Sequence, residues 1–208
     1  MADTTTKQQQ PKKKKARSGA VDKWKLKSWY TIKAPEIFEG KELGQLVASD
    51  EETIKNRVIR AGLGEITGSF SSSTAFTSVM FRVSSVTGKT ANTKFIGHEL
   101  SPSYIKTLLR RRRSIIYNVV DVKTTDGQTL RIKSVAVTAF KVSEAVRKDL
   151  RRTIDSLIKE IGSQMDLPTL AQEVVFGKFS AKVFGKVKNI TPMRRLEIKK
   201  SELSESFE

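Results

Sequence analysis

The sequence has no cysteine and a single histidine, His98. Disulfides are excluded, and so are the cysteine-ligated zinc modules that staple many small nucleic-acid-binding domains. A Ser-His-Asp arrangement would have to use His98, and no Gly-x-Ser-x-Gly elbow accompanies it. A lone histidine in a strand reads as a surface or internally satisfied side chain. Gly62, Gly64 and Gly68 miss the dinucleotide-binding spacing, no Gly-x-x-x-x-Gly-Lys-Ser/Thr run occurs, and the glycines read as a turn. The acidic run Asp50-Glu51-Glu52 reads as a helix start, where carboxylates suit the dipole. No enzyme, cofactor or metal centre is expected. Apolar stretches are also short: none approaches the roughly 20 residues of a membrane span. The N-terminal lysines have no apolar run behind them, unlike a signal peptide. A cytoplasmic location without a membrane partner is therefore expected. Apolar residues make up 38% of the chain, below the roughly 45–50% of average domains.

What the chain does have is positive charge, and it is unevenly placed. Lys and Arg number 39 against 22 Asp and Glu, a net charge of +17. Residues 1–33 carry +8, 101–142 carry +7 and 178–200 carry +7, whereas 34–100 and 143–177 each carry −1 and 201–208 carry −3. Blocks of one sign repel each other unless a partner of opposite sign is present. Nucleic acid, with its dense line of phosphates, is the commonest such partner.

Residues 1–20 hold almost nothing apolar to bury and read as a disordered basic arm carrying Lys12, Lys13, Lys14, Lys15 and Arg17. Between residues 22 and 35 both tryptophans are interleaved with Lys23, Lys25, Lys27 and Lys33. Such a stretch can stack on bases while pairing with phosphates. Trp29 and Tyr30 are the candidates for stacking, although one of them is expected to anchor an N-terminal strand in the core.

Strands are expected near Arg57–Ala61, over Thr77–Thr87 and, after a Gly88-Lys89 turn, over Asn92–Glu99. Ser101-Pro102 starts a short helix that is expected to run to about Arg112, burying Ile105, Leu108 and Leu109. Ile115–Thr124 and Thr129–Phe140 form a hairpin around Thr125-Asp126-Gly127. Ser143 caps a long amphipathic helix ended by Gly162. Pro168 opens another through about Val175, stopped at Gly177. Two more strands are expected, near Phe179–Val187 and Arg195–Lys200. There is no internal repeat. Strands, then helices, then strands without βαβ alternation imply an α+β domain over residues 21–200, built on a mostly antiparallel, barrel-like sheet with a short basic helix and two helices in the C-terminal half. Residues 201–208 read as an acidic tail.

Arg110, Arg111, Arg112 and Arg113 are the sharpest local feature. On the expected helix Lys106, Arg110 and Arg113 would share a face, and arginine is favoured where bidentate phosphate contacts are made. One cation would suffice to complement a helix C-terminus; four point to binding. In the hairpin, Arg131 and Lys133 face away from the core. In the third block Lys178, Lys182, Lys186 and Lys188 would project from one face of a strand, followed by Arg194, Arg195, Lys199 and Lys200. All are candidate RNA-binding residues.

Three of these stretches carry a resemblance. Trp29-Tyr30-Thr31-Ile32-Lys33-Ala34-Pro35 resembles the Trp-Tyr-x-Ile/Val-Lys-Ala-Pro opening of a ribosomal protein family of archaea and eukaryotes, in words S-three-a-e, or e-S-one in the unified naming. Val120 to Gly127 is similar to its central Val-Lys-Thr-x-Asp-Gly hairpin, and Ile190 to Lys200 to its closing motif. The resemblance spans roughly residues 22–200, and the chain's length suits an archaeal-type member. It implies a structural constituent of the small ribosomal subunit with a barrel-like α+β core. It also implies a seat on the platform near the messenger RNA exit, binding ribosomal RNA and neighbouring small-subunit proteins, with messenger RNA a further partner. A homo-oligomer is not expected. The competing reading is a free-standing regulatory RNA- or DNA-binding protein or, behind it, an RNA hydrolase, though no helix-turn-helix or RNP aromatic motif supports it.

Overall fold

The computed structural model describes residues 24, 25, 27–69, 71 and 74–205. The expected basic arm, with Lys12 to Lys15 and Arg17, lies outside the described residues, as does Lys23. The chain runs β1 (Ser28–Lys33), a 3₁₀ turn (Glu36–Phe38), β2 (Glu42–Ala48), β3 (Val58–Gly62), α1 (Leu63–Thr67), β4 (Thr77–Thr87) and β5 (Thr90–Leu100). It continues through α2 (Pro102–Leu108), β6 (Ile115–Lys123), β7 (Thr129–Thr138), α3 (Glu144–Ser163), α4 (Leu167–Val175), α5 (Lys178–Val187) and β8 (Met193–Leu203).

Among the described residues, eight strands form one mostly antiparallel sheet, and β5 is its junction. One edge of β5 pairs along its length with β4, which in turn pairs with β3. The other edge is shared: its first residues pair in parallel with β1, and Gly97–Glu99 pair antiparallel with β8. From there the order continues β8-β7-β6 on one branch and β1-β2 on the other. The sheet is not closed: its β2 and β6 ends do not hydrogen-bond to each other, so the expected barrel is an open, branched sheet.

The two hairpins form where turn chemistry supplies them. Gly88 (φ 59°) and Gly127 (φ 76°) adopt the left-handed backbone that glycine tolerates at least cost. The second turn has another role: the Leu167 backbone N–H donates to the Asp126 carboxylate at 2.9 Å, satisfying a free donor at the N-terminus of α4.

The largest apolar cluster lies between the inner faces of β6, β7 and β8 and the three helices α3, α4 and α5. Leu150, Ile154 and Ile158 of α3 fall at helical spacing and are buried against Ile116, Val120 and Ile132. Burying each such side chain contributes about 1.5–3 kcal/mol. A second cluster joins Phe38, Phe81 and Phe95 to Ala171 and Val175, so α4 serves both cores. A third collects Tyr30, Ala48, Ile54, Val83 and Ala91 beneath β1 and β2.

Several expectations are corrected. The segment expected as a strand near Phe179–Val187 is helix α5, giving three C-terminal helices rather than two. Residues spaced by four repeat on one face of either element; burial of Phe179, Ser180, Val183 and Val187 together is helical. Helix α2 ends at Leu108, not Arg112. The Gly62–Gly68 turn is the short helix α1, and Asp50-Glu51-Glu52 sits in a non-helical turn. Strand β2 was not foreseen, since Glu42–Ala48 alternates weakly. Gly162 lies within α3 rather than ending it. Phe140 lies past the end of β7 and is exposed. The acidic tail is also shorter than expected: β8 carries Ser201, Glu202 and Leu203 into the sheet. Beyond it, Glu205 bonds ionically to Arg82 (2.5 Å) and Lys94 (2.6 Å).

Candidate nucleic-acid interface

The two arginine-rich stretches meet at one place. After α2 the backbone leaves the helix at Leu109 (ψ 113°) and Arg112 takes a left-handed conformation (φ 61°). Past Leu109 the run offers no apolar side chain to bury, and like charges at helical spacing would repel. The chain turns instead into β6. Lys106, Arg110 and Arg113 are therefore not one helix face, yet Arg110 and Arg113 both line a cavity of about 240 Å³.

Arg194 and Arg195 reach the same cavity from β8. Neighbouring strand residues normally point to opposite faces. Here Val137 pairs with Arg195 and Thr138 with Met193, so Arg194 is the extra residue of a bulge. The bulge leaves Met193 and Leu196 inward and both arginines exposed. Four guanidinium groups thus line one cavity, completed by Tyr104, Thr107, Leu108 and Val137. Arg113 is half-buried, and its Nη1 is sealed from solvent without a hydrogen-bond partner.

One carboxylate stands at the rim. The Tyr104 hydroxyl donates to Glu197 Oε1 at 3.3 Å and accepts from Arg195 Nη1 at 2.7 Å. Arg195 also lies 3.4 Å from the same Oε1. Burial pushes the Glu197 carboxyl above the usual carboxylate range, against the opposing pull of Arg195. Burial, then the Glu197 charge, raises the Tyr104 phenol as well.

A second cavity of about 230 Å³ adjoins the first, with Tyr104 and Arg195 lining both. Its wall includes Phe76, Phe176, Glu197 and the edge of His98. Phe76 stacks on Tyr104 with ring centroids 5.2 Å apart and planes 16° from parallel. Phe76 and Phe176 remain 40% and 44% exposed, high for large apolar side chains beside a cavity. His98 itself is satisfied: Nδ1 lies 2.6 Å from Ser201 Oγ and Nε2 3.2 Å from the Ile198 carbonyl. Burial lowers its pKa to about 4, so the ring is neutral at pH 7.

The other candidate residues are scattered by comparison. Trp29 is exposed on β1, while Tyr30, which alternates to the opposite face, is buried in the third cluster and is not available to stack on a base. Lys27 sits 4.0 Å from the centre of the Trp24 ring, and Lys25 and Lys33 are exposed nearby in sequence. Several candidate cations already have carboxylate partners. Arg131 holds Asp121 through two bonds, at 2.7 and 3.0 Å. Lys133 and Lys200 share Glu202. On α5, Lys182 pairs with Glu173 and Lys186 with Glu160. Lys178, Lys188 and Lys199 are exposed. Tyr104, Phe76, Phe176 and Glu197 carry no sequence signal of their own; only the fold assembles them. Among the described residues no group of three His, Asp or Glu side chains is placed to hold a metal ion, and no helix is long and apolar enough to cross a membrane.

The chain matches the Ribosomal S3Ae family over residues 13–206. Small ribosomal subunit protein eS1 of Archaeoglobus fulgidus is 38% identical over 191 residues, covering 91% of this chain and 90% of that protein. The protein of the same name from Sulfurisphaera tokodaii is 36% identical over 188 residues, 90% of this chain and 96% of its own length. That of Saccharolobus islandicus is 35% identical over 189 residues, 90% of each chain. The chain therefore belongs to the Ribosomal S3Ae family, as the three resembling stretches implied, in its archaeal form. This is a family of ribosomal proteins and not of enzymes.

Proposed function

We propose that this member of the Ribosomal S3Ae family is a structural constituent of the small ribosomal subunit. It binds ribosomal RNA on the platform near the messenger RNA exit, touches neighbouring subunit proteins there, and so supports translation in the cytoplasm. The observation that carries the RNA-binding part is the convergence of Arg110 and Arg113 with Arg194 and Arg195 on one cavity, four guanidiniums against the single carboxylate of Glu197. Such a site suits phosphate, whose oxygens match the planar guanidinium fork. The two stretches are separated by some eighty residues of sequence, so their meeting is a product of the fold. The eS1 name of the relatives supports the ribosomal setting.

The test is sedimentation. In a sucrose gradient the protein migrates with small subunits; persistent migration with free protein would sink the ribosomal reading. On purified RNA, each neutralised phosphate contributes roughly −0.7 to −0.9 to the log–log salt slope. Changing the four arginines to Gln reduces the slope's magnitude by about 3 if each engages one phosphate. An unchanged slope would place the RNA elsewhere on the protein.

A further inference from the structure

The arginine cavity and the aromatic cavity share two walls, Tyr104 and Arg195. We infer that they form one bipartite cleft that receives an unpaired RNA nucleotide, its phosphate on Arg110, Arg113, Arg194 and Arg195 and its base against Phe76 and Phe176. This inference rests on the RNA-binding reading above and narrows it to single-stranded RNA at a loop, bulge or end.

Four observations support this occupant. First, charge complementarity: a cavity lined by Arg110, Arg113, Arg194 and Arg195, with no carboxylate among its lining residues, suits an anion. Second, the adjoining cavity supplies what a phosphate alone does not use. Phe76 and Phe176 keep 40% and 44% of their surface exposed, and aromatic faces beside arginines are the elements that hold single-stranded nucleic acid. Third, the size of the aromatic cavity, about 230 Å³, falls below the roughly 300–1,000 Å³ that drug-sized ligands occupy and suits one planar ring system rather than a helix or peptide segment. Bases inside an A-form duplex are stacked and paired, so only a splayed base enters such a space. Fourth, both bonds from Tyr104 and Arg195 fall on Oε1 of Glu197, leaving Oε2 to accept from a base. A carboxylate acceptor favours bases with an exocyclic amino group, such as cytosine, over uracil.

The test uses the full chain with fluorescein-labelled ten-nucleotide RNAs, oligo(C) and oligo(U), and an RNA duplex of equal phosphate count. Phe176 is half exposed, so its replacement does not threaten folding. Phe176→Ala is expected to weaken oligo(C) binding about 5- to 150-fold, the range for losing one base–aromatic stack, with the salt slope unchanged. Phe176→Trp is expected to restore it. Duplex binding is expected to be indifferent to both changes, and oligo(C) to bind more tightly than oligo(U). If Phe176→Ala leaves oligo(C) affinity intact while the arginine-to-Gln variant still loses salt slope, the cleft is wrong and the RNA-binding reading survives. A benzophenone amino acid at position 176, in reconstituted small subunits, is expected to cross-link to RNA. A cross-link to protein instead would overturn the nucleotide assignment and make the cavity a protein-docking site. Failure of the wild-type chain to sediment with subunits would overturn the ribosomal reading instead.

Discussion

Arg195 donates from Nη1 to the hydroxyl of Tyr104 at 2.7 Å, across 91 residues of sequence. The bond ties α2 to the start of β8 and forms the partition between the arginine cavity and the aromatic one. Glu197, two residues along the strand, completes it by accepting from both. The guanidinium that faces the anion cavity is thus oriented by the phenol that stacks on Phe76. Positioning a phosphate and positioning a base become one structural problem.

Removing either partner should report through Glu197. The Tyr104 hydroxyl and the Arg195 charge both pull the Glu197 pKa down against burial, Arg195 the more strongly. Tyr104→Phe should raise that pKa, and Arg195→Gln should raise it further, measured by carboxyl-carbon NMR titration. Since the folded-state value already lies above the unfolded one, ionised Glu197 costs stability at neutral pH, and the cost fades as pH falls through the folded pKa. Arg195→Gln should therefore recover stability relative to wild type on acidification. An unmoved Glu197 titration in both variants would contradict the geometry.

His98 sets a second pH dependence of opposite sense. Its folded pKa of about 4 lies below the ordinary imidazole value of 6.5, so between these values the unfolded chain binds more protons. The stability this contributes is complete above pH 6.5 and is lost as pH falls towards 4. The full shift is worth about 3 kcal/mol. Urea unfolding should show a declining midpoint from pH 7 to 5, and a flatter profile in His98→Gln, which has no proton to gain. A wild-type midpoint that stays level over that range would be the contrary result.

The elements with a single consistent period were legible in the sequence. Thr77–Thr87 alternates as far as Val83 and is β4 to the residue; the Asp-Gly hairpin and the heavily amphipathic α3 follow the same logic. Legibility failed where two periods coincide. Lys178, Lys182 and Lys186 share a face on a strand or a helix, so α5 could not be told from a strand by spacing alone. It failed again where tertiary geometry intervenes. The four arginines were prominent, but that they leave the helix, and that a bulge at Arg194 turns the other pair towards them, depends on contacts between residues far apart in sequence. The aromatic half of the cleft had no local signal at all.

Not every candidate cation should matter equally. Lys182 and Lys186 are compensated by Glu173 and Glu160, and Arg131 by Asp121, whereas Arg110 and Arg113 line an open cavity. A cation already paired with a carboxylate neutralises no phosphate and so releases no counterion from the RNA, and its loss should change the salt slope little. The double variant Lys182→Gln/Lys186→Gln should keep the wild-type slope, and Arg110→Gln/Arg113→Gln should reduce its magnitude by about 1.5. Equal effects from the two pairs would mean that α5 is also in the RNA interface.

Two glycines should respond differently to alanine, because what a methyl group would meet differs. At Gly97 an added Cβ would lie 2.0 Å from the Ser201 carbonyl oxygen, where β5 and β8 join. Backbone cannot yield there without opening the junction that also carries His98 and Ser201, so Gly97→Ala should abolish soluble folded protein. At Gly162 the added Cβ would lie 2.5 Å from Val122 Cγ1, a side-chain atom. Overpacking of this kind costs about 1–3 kcal/mol, offset by roughly 1 kcal/mol of helix propensity gained over glycine. Gly162→Ala should thus fold with a modestly lowered denaturation midpoint. Trimming the obstacle separates the two causes: in a Val122→Ala background the clash is gone, and Gly162→Ala should become neutral or stabilising. If the substitution costs as much there as in wild type, contact with Val122 is not why this position holds glycine.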